Sequence, residues 1–586
     1  MIKFLKKNWI LLVILILAAL LRLYRLGEVP PSLTWDETAL GYNAYSILRT
    51  GKDEYGQFLP LIFKSFGDYK PGLYVYLEAP FVWLLGLTEL AVRLPSAILG
   101  SLGVLGMYLL AKELFVNSST LQDAIPACAG RRQPPRFLFG PHSDTLRVSS
   151  GHLSLITSFL LAISPWHINF SRGAWEANVT LFFVLLGVVM FLRFLKEPRS
   201  FKFLVFGFWF LVLSLYTYQG AKLFVPLLVS GMILIYSREI LKIDKKKLLL
   251  ACLPFLLVIP LYFGLIGESG GRLRVMSVFS FPRPESDIQE LLAQDKTTQS
   301  SLTFKLFHSE GLNFVRGILG RYFNHFSGRF LSFEGDWQNR RLGVPYMGML
   351  YFIDLVFALL GLAVLVGGKE RSKYLILWWL LVAPIPAALS RDAVSSVRTL
   401  PMVVPLTILT GSGILGVLGY LGSKRKKTLA VLLLILVYSW HLVYYFDQYY
   451  IHQGIRYSQT MQFGYKEVVN YIYQNSSEKY EKIIFTESYG QPYIYWLFYN
   501  RYNPGGYQKQ ANLTESPVGD VGRVERIDNV EFRNIYWPND RELKNSLFVG
   551  TEWELPLKDI DPRQAEVLEE IRFLNGQLAF RIVKTK

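Results

Sequence analysis

Apolar stretches of bilayer length recur over the first three quarters of the chain. They fall at roughly 8–26, 92–111, 153–170, 177–195, 203–221, 223–238, 248–266, 346–367, 374–390, 399–422 and 428–446. The pattern predicts about eleven transmembrane helices. The first stretch ends in Arg22 and Arg25 and lacks a small-residue cleavage site, so it reads as a retained span rather than a signal. Three long segments separate or follow the spans, at 27–91, 267–345 and 447–586. In the last, "QFGYKEVVNYIYQN" has the period of an amphipathic helix, and "EKIIFTES" and "RNIYWP" read as strands. The expected architecture is an all-α polytopic membrane domain over 1–446, followed by a small C-terminal α/β domain over 447–586. Residues 120–151 have scattered Pro and Arg and no period, which reads as an inserted loop.

Charge gives the spans a direction. The 586 residues carry 62 Lys+Arg and 45 Asp+Glu, a net +17, with 18% charged and 51% hydrophobic residues. The mean hydropathy is +0.27. Disorder is excluded, and an ordinary soluble enzyme does not fit. The basic excess sits in short runs on alternate connections: Lys3, Lys6 and Lys7, then Lys196 to Lys202, Lys242 to Lys247, Lys369 to Lys373, and Lys424 to Lys427. That placement follows the positive-inside rule, puts the N-terminus in the cytoplasm and the tail outside, and argues against nucleic acid as partner. The insertion at 120–151 then lies inside. Only Cys128 and Cys252 occur, so neither a disulfide framework nor a cysteine metal site is readable. No HExxH, P-loop or nucleophile-elbow pattern is present.

The candidate chemistry falls in the outside segments. Asp36 and Glu37, in "LTWDETALGYNAYSILRTG", follow the first span. Adjacent residues point in different directions, so one of them at most enters a cavity. A partly screened carboxylate there suits a general base, whereas Thr34 or Asp36 equally suits a helix cap. Lys70 precedes Pro71 among Tyr69, Tyr74 and Tyr76. It reads either as a phosphate-binding point charge or as an interfacial lysine in an aromatic belt. Arg172 either reaches a phosphate or pairs with Glu176 four residues on, and Lys222 has the same two readings. Arg272 and Arg274, in a Gly-rich stretch, suit an anion. His325, Arg329, Glu334, Asp336, Arg340 and Arg341 gather in one loop, where a solvated face is the plainer account. Asp354, an acid inside an apolar span, is either functional or a helix-end pair.

Taken together, the chain resembles the GT-C membrane glycosyltransferases, in particular the bacterial protein O-mannosyltransferase and aminoarabinose transferase group. The stretches that carry the resemblance are "WDETALGYNAYSILRTG", "DYKPGLYVYLEAPFVWLLGLTELAVRLPSAILG", "SPWHINFSRGAWEAN" and "VRTLPMVVPL". It covers most of 10–446 outside the insertion. Gly72 stands where the family often has a second proline. The resemblance implies a polyprenyl-phosphate-linked sugar as donor and a hydroxyl on lipid, glycan or protein as acceptor, joined at the outer side of the plasma membrane. It implies Asp36 as the catalytic acid/base, with Glu37 as alternate. Lys70, Arg172, Lys222 and Arg272 are then the candidates for the donor phosphate, and Tyr42, Tyr74, His325 and Asp336 for sugar or acceptor contacts. No cofactor is called for, and a divalent metal is left open. Two other classes stay in view, a polyprenyl-linked sugar flippase and a non-catalytic envelope assembly protein.

Overall fold

The computed structural model describes residues 8–115, 150–198, 200–259, 277–280, 282–368, 370–475, 480–514 and 521–586. Its main helices as far as the last apolar stretch are α1 (Trp9–Leu23), α2 (Trp35–Thr50), α3 (Leu73–Leu85), α4 (Glu89–Phe115), α5 (Ser150–Ile163), α6 (Pro165–Ser171), α7 (Glu176–Lys196), α8 (Lys202–Leu215), α9 (Ala221–Ile235), α10 (Glu310–Asn324), α11 (Phe352–Gly367), α12 (Ser372–Val382), α13 (Val403–Tyr420) and α14 (Lys424–Phe446). A hairpin of β1 (Ile62–Ser65) and β2 (Asp68–Pro71) lies between α2 and α3.

Among the described residues, four helices are long and apolar enough to cross a membrane: Glu89–Phe115, Glu176–Lys196, Leu400–Tyr420 and Lys424–Tyr457. α5 and α6 pass the same test together, bent by 58°. Pro165 causes the break, because it cannot donate to the preceding turn and Ser164 caps α6 instead. α1, α8, α9, α11 and α12 are apolar but shorter. The expected span at 248–266 is described only to residue 259. Most of the 120–151 insertion lies outside the described residues.

Helix contacts inside the bundle rely on small residues. A Cβ added to Gly361 of α11 would sit 1.8 Å from the Leu409 carbonyl oxygen of α13, and one on Gly413 would sit 2.0 Å from the Phe357 oxygen. Lipid supplies no hydrophobic drive between helices, so backbones must approach closely for dispersion and dipole contacts to hold them.

The last helix runs past α14 as far as Tyr457. The tail then forms α15 (Tyr465–Asn475), β3 (Lys482–Phe485), α16 (Pro492–Tyr499), α17 (Pro504–Gln510) and the strands β4 (Leu513–Thr514), β5 (Arg523–Val524), β6 (Arg526–Ile527), β7 (Val530–Phe532), β8 (Ser546–Gly550), β9 (Ala565–Arg572) and β10 (Leu578–Thr585). The main sheet has the order β6-β7-β3-β8-β10-β9, with β3 parallel to both β7 and β8. The expected helix over 462–475 and strand in "EKIIFTES" are present. The expected strand in "RNIYWP" is corrected: β7 ends at Phe532, and Trp537–Asp540 is a helical turn. Buried Ile535 and Trp537 around exposed Tyr536 mimic a strand's alternation. Asp540 fixes the turn by accepting the Tyr536 N–H at 2.8 Å.

The tail packs on α2. Leu40 and Tyr42 share a core with Ile494 and Phe498 of α16. The Tyr495 hydroxyl donates to the Leu33 carbonyl at 3.1 Å, and Gln508 of α17 donates to Thr50 and to the Asp53 carbonyl. The helix that begins at Trp35 is therefore clamped between bundle and tail.

Candidate active site

The last turn of α1 and the irregular connection from it to α2 leave carbonyls without ladder partners, so they need donors. Two arginines supply them. Arg93 donates to the carbonyls of Leu26 at 3.1 Å, Pro30 at 2.9 Å and Ser32 at 2.6 Å. Arg172 donates to those of Leu21 at 3.1 Å, Arg22 at 3.3 Å and Val29 at 2.9 Å, and to the Tyr449 hydroxyl at 3.2 Å. α2 then opens on a capping box. Glu37 Oε2 accepts from the Thr34 N–H at 2.9 Å, and Thr34 Oγ1 accepts from the Glu37 N–H at 3.4 Å. Glu37 Oε1 accepts from Arg93 Nε at 3.2 Å and from the Ala174 N–H at 2.9 Å.

Glu37 is thus buried and committed, which turns its neighbour outward. The Asp36 side chain is 27% exposed. It pairs with Lys70 Nζ, and Arg341 Nη2 lies 3.6 Å from its other oxygen. β2 brings Lys70 to this place, with Phe66 in the hairpin turn under its ammonium at 5.7 Å. Burial pulls the Lys70 ammonium down, but the carboxylates of Asp36 and Glu176 outweigh it, and the net direction is up. Lys70 therefore stays charged. The Arg341 guanidinium lies over the Trp35 ring at 5.0 Å. Its Nη1 is buried and has no hydrogen-bond partner among the described residues. Gln219 donates to the Tyr69 carbonyl, which sets the 216–222 hairpin against the Lys70 strand. Lys222 is buried at the first turn of α9 in that hairpin.

The crystal structure of ArnT from Cupriavidus metallidurans bound to undecaprenyl phosphate matches with a TM-score of 0.55 at 10% identity, over 98% of this chain and 98% of that one. The same protein in the apo state matches at TM-score 0.49 and 12% identity, over 100% and 98%. The archaeal oligosaccharyltransferase AglB from Archaeoglobus fulgidus, in complex with an inhibitory peptide and a dolichol-phosphate, matches at TM-score 0.47 and 12% identity, over 84% of this chain and 64% of that one. Neither a protein-family model nor a curated protein matches the sequence. The fold is the GT-C fold.

Within this fold several expected site residues turn out to be structural. Arg172 is corrected on both readings: its donors are spent on backbone carbonyls and Tyr449, and it lies over the Tyr450 ring at 5.1 Å rather than pairing with Glu176. Glu37 is corrected as an alternate base, because both its oxygens already accept. Tyr42 donates to the Tyr502 carbonyl at 3.1 Å, and Tyr74 to that of Val92 at 3.0 Å, so both are braces rather than sugar contacts. Both His325 nitrogens are used. Nδ1 lies 2.7 Å from the Arg321 carbonyl, and Nε2 accepts from the Ser395 N–H at 2.9 Å. Burial pushes the ring down to about 4, so it is neutral. Asp336 accepts from the Asn339 N–H and from the Ser396 N–H and hydroxyl, which fixes the loop 392–398 rather than an acceptor. Asp354 accepts from the Tyr438 hydroxyl at 2.6 Å and from the Tyr351 N–H, the helix-end reading. Arg272 and Arg274 lie outside the described residues.

Arg93 and Arg341 were missed. A basic residue one position into an apolar stretch is the available signal for Arg93. Arg341 has no local signal that separates it from its charged neighbours. Among the described residues, no group of three or more His, Cys, Asp or Glu side chains is placed to hold a metal.

Proposed function

We propose that the chain is a membrane glycosyltransferase that moves a sugar from a polyprenyl-phosphate carrier to a hydroxyl at the outer face of the membrane. The observation that carries the reading is Asp36 held between two cations, Lys70 and Arg341, at the start of the helix clamped between bundle and tail. The topology is that of the charge pattern: N-terminus cytoplasmic, about eleven spans, tail outside.

Two cations and one carboxylate at one point can divide the reaction between them. The donor phosphate takes Lys70 and Arg341, with Lys222 in the adjoining hairpin as a further cation. Arg341 has an unused N–H for it. As the bond from the anomeric carbon to the phosphate oxygen breaks, its electron pair goes to the phosphate. The charge that builds there is stabilised more in the transition state than in the ground state. The phosphate is a good leaving group and needs no proton. The acceptor oxygen bonds to the anomeric carbon from the opposite face, inverting it, and its proton goes to Asp36. Lys70 and Arg341 neutralise Asp36. A phosphate competing for them raises the basicity of Asp36 as the donor arrives.

The test is single-turnover release of polyprenyl phosphate from a short-chain polyprenyl-phosphate sugar, with detergent-solubilised protein and an envelope extract as the acceptor source. Release in the wild type and its loss in Asp36→Asn are expected. Movement of intact donor across vesicles without release would establish the flippase instead.

A further inference from the structure

The tail sheet has a topological switch point. β3 and β7 are parallel neighbours. The chain leaving β3 enters α16, whose Ile494 and Phe498 pack on the sheet face that carries Ile483 and Phe485. The chain leaving β7 goes to the opposite face, where Ile535 and Trp537 pack on Ile484 and Phe548. Connections that part to opposite faces leave a crevice outside the carboxyl ends of the strands, the usual ligand position in open α/β sheets.

One carboxylate ties the loops at that edge together. Glu554 accepts from the Thr486 hydroxyl at 2.8 Å after β3 and from the Ile535 N–H at 3.1 Å after β7. It also accepts from the Thr551 N–H and hydroxyl, both at 2.9 Å, after β8. The residues next in sequence to Glu554 and to Ile535 carry aromatic rings that the fold does not bury. Trp553 is 92% exposed and Tyr536 is 64% exposed. Glu487, next to Thr486, pairs with Arg523 at 3.4 Å. The loop after β3 then runs to the active site. Gly490 has φ +120, and a Cβ there would lie 2.6 Å from the Trp35 ring, so the loop rests directly on the residue before Asp36.

We infer that this edge is the acceptor-binding site, and that the acceptor it takes is a glycan. Flat, exposed rings suit the C–H faces of sugars, and a carboxylate beside a guanidinium suits their hydroxyls. The contact of Gly490 with Trp35 makes the edge continuous with the base. The inference rests on the glycosyltransferase reading and adds the acceptor class to it.

The experiment measures binding, not turnover. Purified full-length protein in nanodiscs is titrated with mannohexaose and, separately, cellohexaose, by isothermal calorimetry and saturation-transfer NMR. Undecaprenyl phosphate affinity is measured in parallel. Binding of at least one hexasaccharide is expected, weakened about tenfold in Trp553→Ala and in Tyr536→Ala. Undecaprenyl phosphate affinity should be unchanged in both. Asp36→Asn should keep the hexasaccharide site. Absence of binding by both hexasaccharides overturns the inference. So does binding that neither variant weakens, or a Ser/Thr peptide that binds through Trp553 when the sugars do not. Should the donor never turn over while a hexasaccharide still depends on Trp553, the glycan site stands and the transferase reading falls. Turnover without hexasaccharide binding has the opposite consequence.

Discussion

Asp36→Asn and Glu37→Gln separate chemistry from architecture at two adjacent positions. Glu37 accepts from the Thr34 N–H and hydroxyl on one oxygen and from Arg93 and the Ala174 N–H on the other. A glutamine must turn its NH2 toward one of these donor pairs. Whichever way it points, a buried donor faces a donor and Arg93 loses its counter-charge. Removing one partner of a buried ion pair costs about 3–5 kcal/mol, and a damaged cap adds about 1 kcal/mol. That is a large share of a total stability of about 5–15 kcal/mol. Asp36 is less deeply held, at 27% exposed, but its partner Lys70 is buried, so weakening that pair should cost about 1–3 kcal/mol, less than the loss at Glu37. The amide in Asp36→Asn cannot take a proton, however, and loss of a general base slows the chemical step about 10²–10⁴-fold.

The signs of the binding effects also differ. Without its carboxylate, position 36 no longer competes with the donor phosphate for Lys70 and Arg341, so the donor lipid should bind Asp36→Asn as tightly as wild type or more tightly. Three measurements decide: the thermal midpoint in detergent, undecaprenyl phosphate affinity, and single-turnover rate. Glu37→Gln should lose stability first, with activity falling in proportion to folded protein. The reasoning is refuted if Asp36→Asn turns over within about tenfold of wild type, or if Glu37→Gln is as stable as wild type and dead.

Arg341→Ala should weaken donor affinity with little change in thermal midpoint, whereas Arg172→Ala should do the reverse, because it strips donors from the Leu21, Arg22 and Val29 carbonyls; parallel affinity and melting measurements check both. Gly361→Val should abolish the folded yield by size-exclusion chromatography, since even its Cβ has no room against Leu409, while Gly320→Ala, in open space on α10, should be neutral or gain up to about 1 kcal/mol. Burial pushes the Glu54 carboxyl up to about 8, ahead of the opposing hydrogen bond from Asn43. The folded state then holds a proton that the unfolded state releases above its ordinary value, so stability should fall as pH rises from about 5 to 8. Glu54→Gln should flatten that slope in melting curves taken across the range. A reporter active only outside should be on after residue 60, 300 or 586 and off after residue 200, 245 or 425, as the positive-inside map requires.

How much of this was legible in the sequence depends on the range of each interaction. The helix 465–475 follows from local periodicity and is present, and apolar helices stand at most of the expected spans, four of them long enough on their own to cross a membrane among the described residues. The cap and the base at the start of α2 looked like rival accounts of Asp36 and Glu37. The structure gives the cap to Thr34 and Glu37 and leaves Asp36 beside the cations, because adjacent residues on a helix face different ways. Lys70 was singled out by Pro71 and the flanking tyrosines, and the structure brings it to Asp36. Arg172 and Arg341 were not legible, for one reason. An arginine in an outside loop looks the same whether its donors end on a phosphate or on a carbonyl. Arg172 finds carbonyls about 150 positions earlier, two at the end of α1 and one on the connection that follows it. Arg341 finds Trp35 and Asp36 some 300 positions earlier and keeps an N–H unspent. Arg93 and Arg172 spend their donors on the carbonyls around that connection. Arg341 stacks on Trp35 and pairs with Asp36, yet its buried Nη1 is unspent, and that N–H is the ground for proposing that Arg341 takes the phosphate.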